Sequence, residues 1–129
     1  KKKWPYYKDL INLLIREYGS KYNIAIAPGP NEVEESRKFD ATIILNNNRI
    51  LNIIELVSLI KNSSYVISND TGPALICAHL NKKGLVLFGS HTTPEKVSIE
   101  TENFKSIKVN KLKDLNVADV FEKIKQKLN

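Results

Sequence analysis

The sequence contains no methionine, one tryptophan, one cysteine, two histidines and five glycines. A lone cysteine, Cys77, has no partner for an internal disulfide, which fits a reducing compartment. It lies in a small-residue helical stretch and reads as a small core residue rather than a nucleophile. No Cys/His spacing suggests zinc. Neither G-x-G-x-x-G nor G-x-x-x-x-G-K-[ST] occurs, which argues against a dinucleotide-reducing enzyme and against a P-loop NTPase. No Asp-x-Asp pair is present to clamp a diphosphate through Mg²⁺ or Mn²⁺. Apolar runs such as Ile53 to Ile60 and Gly84 to Gly89 fall short of the ~18 residues that span a bilayer. The basic N-terminus is followed by no apolar stretch and cleavage site, so no signal peptide is expected. The first residue is Lys rather than Met, and the chain is expected to be part of a longer protein.

What is present fits one soluble domain. The chain has 129 residues, 42% apolar and 26% charged, enough to bury a core. The formal net charge is +6, with lysines concentrated at Lys1, Lys2 and Lys3 and again from Lys105 to Lys127. Such a surface suits nucleic acid, anionic lipid headgroups or a phosphorylated ligand, and it also follows from a simple Lys, Ile and Asn bias. No RNA-binding signature is found, and nucleic acid is not expected as a partner.

Strand and helix patterns alternate. Pro5 to Tyr18 reads as a helix, with Leu10, Leu13, Leu14 and Tyr18 at helical spacing, Pro5 in the first turn and Gly19 ending the pattern. Tyr22 to Ala27 is a short apolar strand closed by Pro28-Gly29-Pro30. Asn31 to Phe39 predicts a short helix capped by Asn31, with Glu34 three residues on. Ala41 to Leu45 is a second strand. Ile53 to Lys61 is amphipathic, with Ile53, Leu56, Val57 and Ile60 on one face. Tyr65 to Ser68 is a third strand, leading through Asn69-Asp70-Thr71-Gly72-Pro73 into a helix ending near Leu80. Leu85 to Phe88 and Phe104 to Val109 are further strands, and Val117 to Leu128 a closing helix. Strands apolar on both faces belong to a parallel sheet covered by helices on both sides. The expected fold is α/β: a Rossmann-like doubly wound parallel sheet.

In such sheets ligands bind beyond the carboxyl ends of the strands. The loops there are Pro28 to Glu32, Asn46 to Arg49, Asn69 to Pro73 and Gly89 to Glu95. The third carries the sharpest signal. Gly72 permits close approach of the backbone, Asp70 or Thr71 suits a cap, and Pro73 suits the first turn. Free N–H groups at the helix start then offer a phosphate seat. Asp70 itself would repel a phosphate and is better suited to accept from sugar hydroxyls. A plain capped helix start accounts for the same residues.

Lys2-Lys3-Trp4-Pro5, Asn69-Asp70-Thr71-Gly72-Pro73-Ala74 and Leu87-Phe88-Gly89-Ser90 resemble, in order and spacing, the C-terminal domain of the ADP-heptose:lipopolysaccharide heptosyltransferases, glycosyltransferase family 9. The resemblance covers nearly the whole chain. It implies one half of a GT-B glycosyltransferase, with two Rossmann-like domains and the active site between them. Residues 1–129 would then be the nucleotide-sugar-binding domain, without its first strand and without the N-terminal acceptor domain that holds the catalytic base. No catalytic residue is assigned to this chain, and no metal or cofactor is expected. The implied donor is ADP-heptose or another nucleotide sugar. Lys2 matches the lysine that meets the donor diphosphate, and Glu32 a glutamate that takes the ribose hydroxyls. Asp70, Thr71, Gly72 and Pro73 match the segment at sugar and phosphates.

Two positions depart from the family pattern. Leu75 stands where a histidine is usual three residues after the glycine. His79, one turn on, reads as a packed or surface histidine. The usual Gly-x-Thr-x-Pro loop is here Gly89-Ser90-His91-Thr92-Thr93-Pro94, which puts His91, Thr92 and Thr93 beside the ligand mouth, where a plain turn accounts for them as well. The family's sheet order, 3-2-1-4-5-6, puts the absent first strand in mid-sheet. Altered pairing is therefore expected there, or a strand borrowed from a partner. A sheet with Tyr22–Ala27 directly beside Tyr65–Ser68 would mean that the gap had closed.

The function so implied is inverting, metal-independent transfer of heptose or a related sugar to a lipopolysaccharide-core acceptor reached through the missing domain. The expected location is cytoplasmic, with peripheral contact at an anionic inner-membrane face. Leu75 favours an alternative, a non-catalytic nucleotide-sugar-binding module. An unrelated flavodoxin- or response-regulator-type domain is disfavoured, because only Asp70 is placed for an acidic cluster at the strand ends.

Overall fold

The computed structural model describes residues 4–69, 72–89 and 100–128. In chain order the elements are α1 (Tyr7–Tyr18), β1 (Ala25–Ile26), α2 (Val33–Ser36), β2 (Thr42–Ile43), α3 (Ile53–Lys61), β3 (Val66–Asn69), α4 (Gly72–His79), β4 (Gly84–Phe88), β5 (Phe104–Lys108), a 3-10 turn (Leu112–Asp114) and α5 (Val117–Leu128). All strand pairs are parallel. The expected α/β doubly wound architecture is present.

β4 organises the core. All five of its residues are buried, and successive side chains point to opposite faces. Leu85 and Leu87 pack with Trp4, Leu10 and Leu14 on one side and with Val120 and Ile124, so α1 and α5 cover that face. Val86 and Phe88 pack with Ile60, Ala74, Cys77 and Phe104, so α3 and α4 cover the other. This two-sided burial is why the segment reads as a continuous apolar run rather than an alternating one. Gly84 opens the strand where the chains approach closely: a Cβ there would lie 2.5 Å from the Val66 carbonyl oxygen and 2.8 Å from the Phe104 ring.

Helix ends follow local rules. Asn52 and Glu55 form a reciprocal capping box at α3, each side chain accepting the other's backbone N–H (2.9 and 2.8 Å). Asn116 Oδ1 accepts the Asp119 N–H at the start of α5 (2.9 Å). α4 ends with Asn81 at φ 53°. There the Asn81 N–H bonds the Ala78 carbonyl and the Lys82 N–H that of Cys77, both at 3.0 Å, the pattern of a left-handed C-terminal cap.

Three local expectations are corrected. Asn31 does not cap α2: its φ is 66°, and the residue preceding the helix is Glu32, which makes no side-chain cap bond. Asparagine tolerates the left-handed region, so Asn31 serves the loop turn instead. Ile53 is 62% exposed although the amphipathic pattern puts it with buried Ile60; it is the first residue of α3. The first two strands are only two residues long, because a strand extends only as far as a partner pairs with it.

The pairing has a break. β1 pairs with β2, while β3, β4 and β5 form a second ladder in that order. Among the described residues β1 and β3 share no ladder, so the gap has not closed by direct pairing. In the numbering of the 3-2-1-4-5-6 order that the resemblance implies, the observed ladders are 3-2 and 4-5-6, with the break where strand 1 is expected.

Candidate functional site

The loops leaving the carboxyl ends of β1, β2 and β3 can be built from their residues. After β1, the Gly29 N–H donates to Glu32 Oε1 (2.9 Å) and the Glu32 N–H returns to the Gly29 carbonyl (3.1 Å). With Asn31 left-handed, the loop 28–32 closes on itself around a half-buried Glu32. After β2, Asn46 and Arg49 exchange backbone hydrogen bonds of 2.8 and 3.0 Å across Asn47 and Asn48, both at positive φ. That is the signature of a tight type I′ turn. The Asn46 side-chain amide donates to Glu55, which also closes the α3 capping box. These groups are committed to holding the turn.

The end of β3 meets the start of α1. Tyr7 Oη donates to Asn69 Oδ1 at 2.9 Å, across 62 positions of sequence. Burial holds the Tyr7 phenol well above its ordinary value, and the negative charge of Glu32 adds to the effect. Tyr7, Asn69 and Glu32 are thus neighbours at one end of the sheet. Tyr7 packs edge-on against Trp4, with ring centroids 5.1 Å apart. Trp4 is buried and donates from Nε1 to the Leu115 carbonyl (2.8 Å). Trp4 is therefore anchored in the core. Tyr6 Oη adds a bond to the Lys113 carbonyl (2.7 Å).

α4 begins at Gly72, as its turn residues predict. Gly72 is exposed, and a Cβ built on it would meet no described atom within 4 Å. Among the described residues nothing stands over this helix start, while Ala74 and Cys77 on the same helix are fully buried. The arrangement offers backbone N–H groups of a helix start to an anion from an accessible direction. Leu75 is 49% exposed on the same helix, and His79 is exposed. Cys77 is buried, and burial pushes its thiol up to about 11, as a core residue requires and a nucleophile does not.

The family profile of glycosyltransferase family 9 (heptosyltransferase) matches residues 1–125. The chain belongs to glycosyltransferase family 9. No match was found among curated proteins. Among solved structures, E. coli heptosyltransferase WaaC with ADP is similar over 98% of this chain and 40% of its own, at 22% identity and a TM-score of 0.81. WaaC with ADP-2-deoxy-2-fluoro heptose gives 23% identity and a TM-score of 0.79 over 97% of this chain and 39% of its own. E. coli ADP-heptose lps heptosyltransferase II gives 20% and 0.80 over 97% and 41%. The chain thus spans about two fifths of the length of these structures, and it shares the fold of that part.

Of the family 9 site residues expected from sequence, Glu32, Gly72 and Pro73 are described, each at the carboxyl end of the sheet or the helix start beside it. Lys2, Asp70, Thr71, His91 and Thr92 lie outside the described residues, as does the loop from Ser90 to Glu95. The sequence reading overlooked Tyr7 as a partner of the site. Its one local signal is the cluster Trp4-Pro5-Tyr6-Tyr7, aromatic residues crowded at a helix start whose exposed positions should be polar.

Proposed function

We propose that this chain is the donor-binding domain of a two-domain, inverting, metal-independent glycosyltransferase. The substrate class is a nucleotide diphosphate sugar, ADP-heptose or a relative, and the acceptor is a lipopolysaccharide core bound by the other domain. The observation that carries this reading is the family 9 match over residues 1–125, joined to an exposed Gly72 that opens α4 at the carboxyl end of β3. Titration of the protein with ADP, UDP and GDP, followed at the Gly72 amide, tests it. Saturable shifts with ADP support it, and no shift with any of the three removes it.

The chemistry required of this domain is electrostatic. When an acceptor hydroxyl attacks the anomeric carbon and the sugar–phosphate bond breaks, negative charge grows on the departing diphosphate. With no metal in the scheme, Lys2 and the backbone N–H groups from Asp70 to Gly72 meet that charge. Glu32 holds the ribose hydroxyls, Asp70 the sugar, and His91 and Thr92 flank the mouth. The base that takes the acceptor proton belongs to the other domain. No resident cofactor is required.

The interrupted ladder between β1 and β3 supports a further part of the reading: one more strand, from residues preceding this chain in the complete protein, fills the slot. Among the described residues no helix is long and apolar enough to cross a membrane. The net charge of +6 suits peripheral contact with the anionic inner face of a membrane from the cytoplasm.

A second reading, a nucleotide-sugar-binding module without transferase activity, is favoured by the exposed Leu75 in place of the family's histidine. Leu75→His in the complete protein separates the two. A large gain in transfer rate indicates a lapsed enzyme, and no change indicates a site adapted to leucine.

A further inference from the structure

Among the described residues β5 has one strand partner, β4, and so lies at the edge of its ladder. A strand so placed turns half of its main-chain N–H and C=O groups outward, where they can template a further strand. The bonds made to β4 show which residues do so. The Asn103 carbonyl accepts the Gly84 N–H at 3.2 Å, and the Val109 N–H donates to the Phe88 carbonyl at 3.0 Å. Main-chain groups alternate sides along an extended strand, so the odd-numbered residues of this segment face β4. Phe104, Ser106 and Lys108 face away from it.

Glu100 and Thr101, just ahead of β5, fold back onto that outward side. The Thr101 N–H donates to the Phe104 carbonyl, and Thr101 Oγ1 accepts the Phe104 N–H, both at 3.0 Å. One step further along the strand, Glu100 Oε2 accepts the Ser106 N–H at 2.9 Å and the Ser106 hydroxyl at 2.7 Å. Both main-chain groups of Phe104 and the N–H of Ser106 are thus satisfied without a neighbouring strand. A tight turn explains the bonds of Thr101. It does not explain Glu100, an exposed residue whose carboxylate reaches six positions along the chain to sit where a strand's carbonyl would.

We propose that Glu100 is an edge guard: its carboxylate stands in for the carbonyl of a neighbouring strand and, with Thr101, bars a second copy of this chain from adding a strand to β5. A carboxylate suits the task because it accepts and cannot donate. It satisfies the outward N–H and offers no hydrogen to continue a ladder. An arriving strand has to displace a charge-assisted bond, roughly twice as strong as a neutral one, and make a neutral one in its place. Lys105 and Lys108, exposed on the same strand, add like charge between two copies. The inference is independent of the donor-site reading.

The experiment compares the wild-type protein with Glu100→Ala, Glu100→Gln and Glu102→Ala, by residue-resolved amide exchange and by sedimentation velocity over a range of concentration. Salt at about 1 M shortens the reach of the lysine charges to about 3 Å. Dilute Glu100→Ala is expected to exchange its Ser106 amide roughly tenfold faster, the factor that loss of one hydrogen bond gives. As its concentration rises it should self-associate beyond the wild type, with the Ser106 and Lys108 amides protected anew. Glu100→Gln keeps an acceptor oxygen and should behave as the wild type does. So should Glu102→Ala, which removes the same charge from an exposed neighbour. Association that leaves those two amides unprotected proceeds through another edge and overturns the proposal. It is overturned equally by unchanged exchange at Ser106, or by a Glu100→Ala protein that associates no more than the wild type. Association of Glu100→Gln or Glu102→Ala as strong as that of Glu100→Ala does the same. Should Glu100→Ala not fold, Glu100→Asp, whose carboxylate is one methylene shorter, decides on the same measurements.

Discussion

Gly72→Ala separates folding from binding at the proposed site. Gly72 stands in the first turn of α4, and no glycine in the described chain has positive φ. The backbone there is one that alanine adopts without strain, and the added Cβ meets no described atom within 4 Å. On the folded side nothing is lost. On the unfolded side alanine has less freedom to lose, so the substitution stabilises by about 0.4–1 kcal/mol. For a domain of this size that raises Tm by about 1–5 °C. Binding should move the other way. If a diphosphate sits on the N–H groups at this helix start, the space the methyl enters is the ligand's. Crowding of that kind costs about 1–3 kcal/mol, or about 5- to 150-fold in Kd. Thermal melts and ADP titrations on the same samples read both quantities. A protein that is no less stable and yet binds ADP as tightly as the wild type refutes the placement of the donor over Gly72. A clear loss of stability refutes the reading of open space.

The contrasting glycine is Gly84. A Cβ there collides with the Val66 carbonyl at 2.5 Å and with the ring of the fully buried Phe104. Gly84→Ala should destabilise by about 1–3 kcal/mol or more, visible as a lower urea midpoint; an unchanged midpoint would mean that β3 and β5 are not packed as described. Stability should also fall in alkali. Burial raises Cys77 to about 11 and Tyr65 to about 12 and pushes Tyr7 higher still. Groups with raised folded pKa values add stability that is complete below their unfolded values, near 9 to 10, and lost as pH rises through the folded ones. Tm followed together with tyrosinate absorbance should therefore fall from about pH 9 upward, with the late-ionising tyrosines appearing as the fold melts. Simple titration of all five tyrosines near their ordinary value, on an intact fold, would contradict the burial of Tyr7 and Tyr65.

Legibility varied with the range of the forces involved. α3 begins and ends where the sequence places it, at Ile53 and Lys61, because a reciprocal Asn52–Glu55 cap is a matter of neighbours. α5 likewise follows from spacing and a local cap. The apolar run at β4 announced a strand buried on both sides, and both sides are covered. Asn31 misled for the opposite reason: a good capping residue is also a good left-handed one, and the closure of Gly29 onto Glu32 selected the second use. The exposure of Ile53 was invisible to periodicity, which specifies a face but not how far along a helix its cover extends.

The sequence by itself determined the alternation of strands and helices, the parallel two-sided core and the start of α4 at Gly72. It also carried the motifs by which the chain is placed in family 9. Each of these depends on residues close together in the chain or on side-chain type alone. Only the tertiary structure decided that Tyr7 meets Asn69 from 62 residues away. It also decided that Trp4 is anchored by a carbonyl at Leu115. Those pairings involve groups that local pattern leaves free to choose among many partners. Packing the helices on the two faces of β4 brings one partner within reach and excludes the rest.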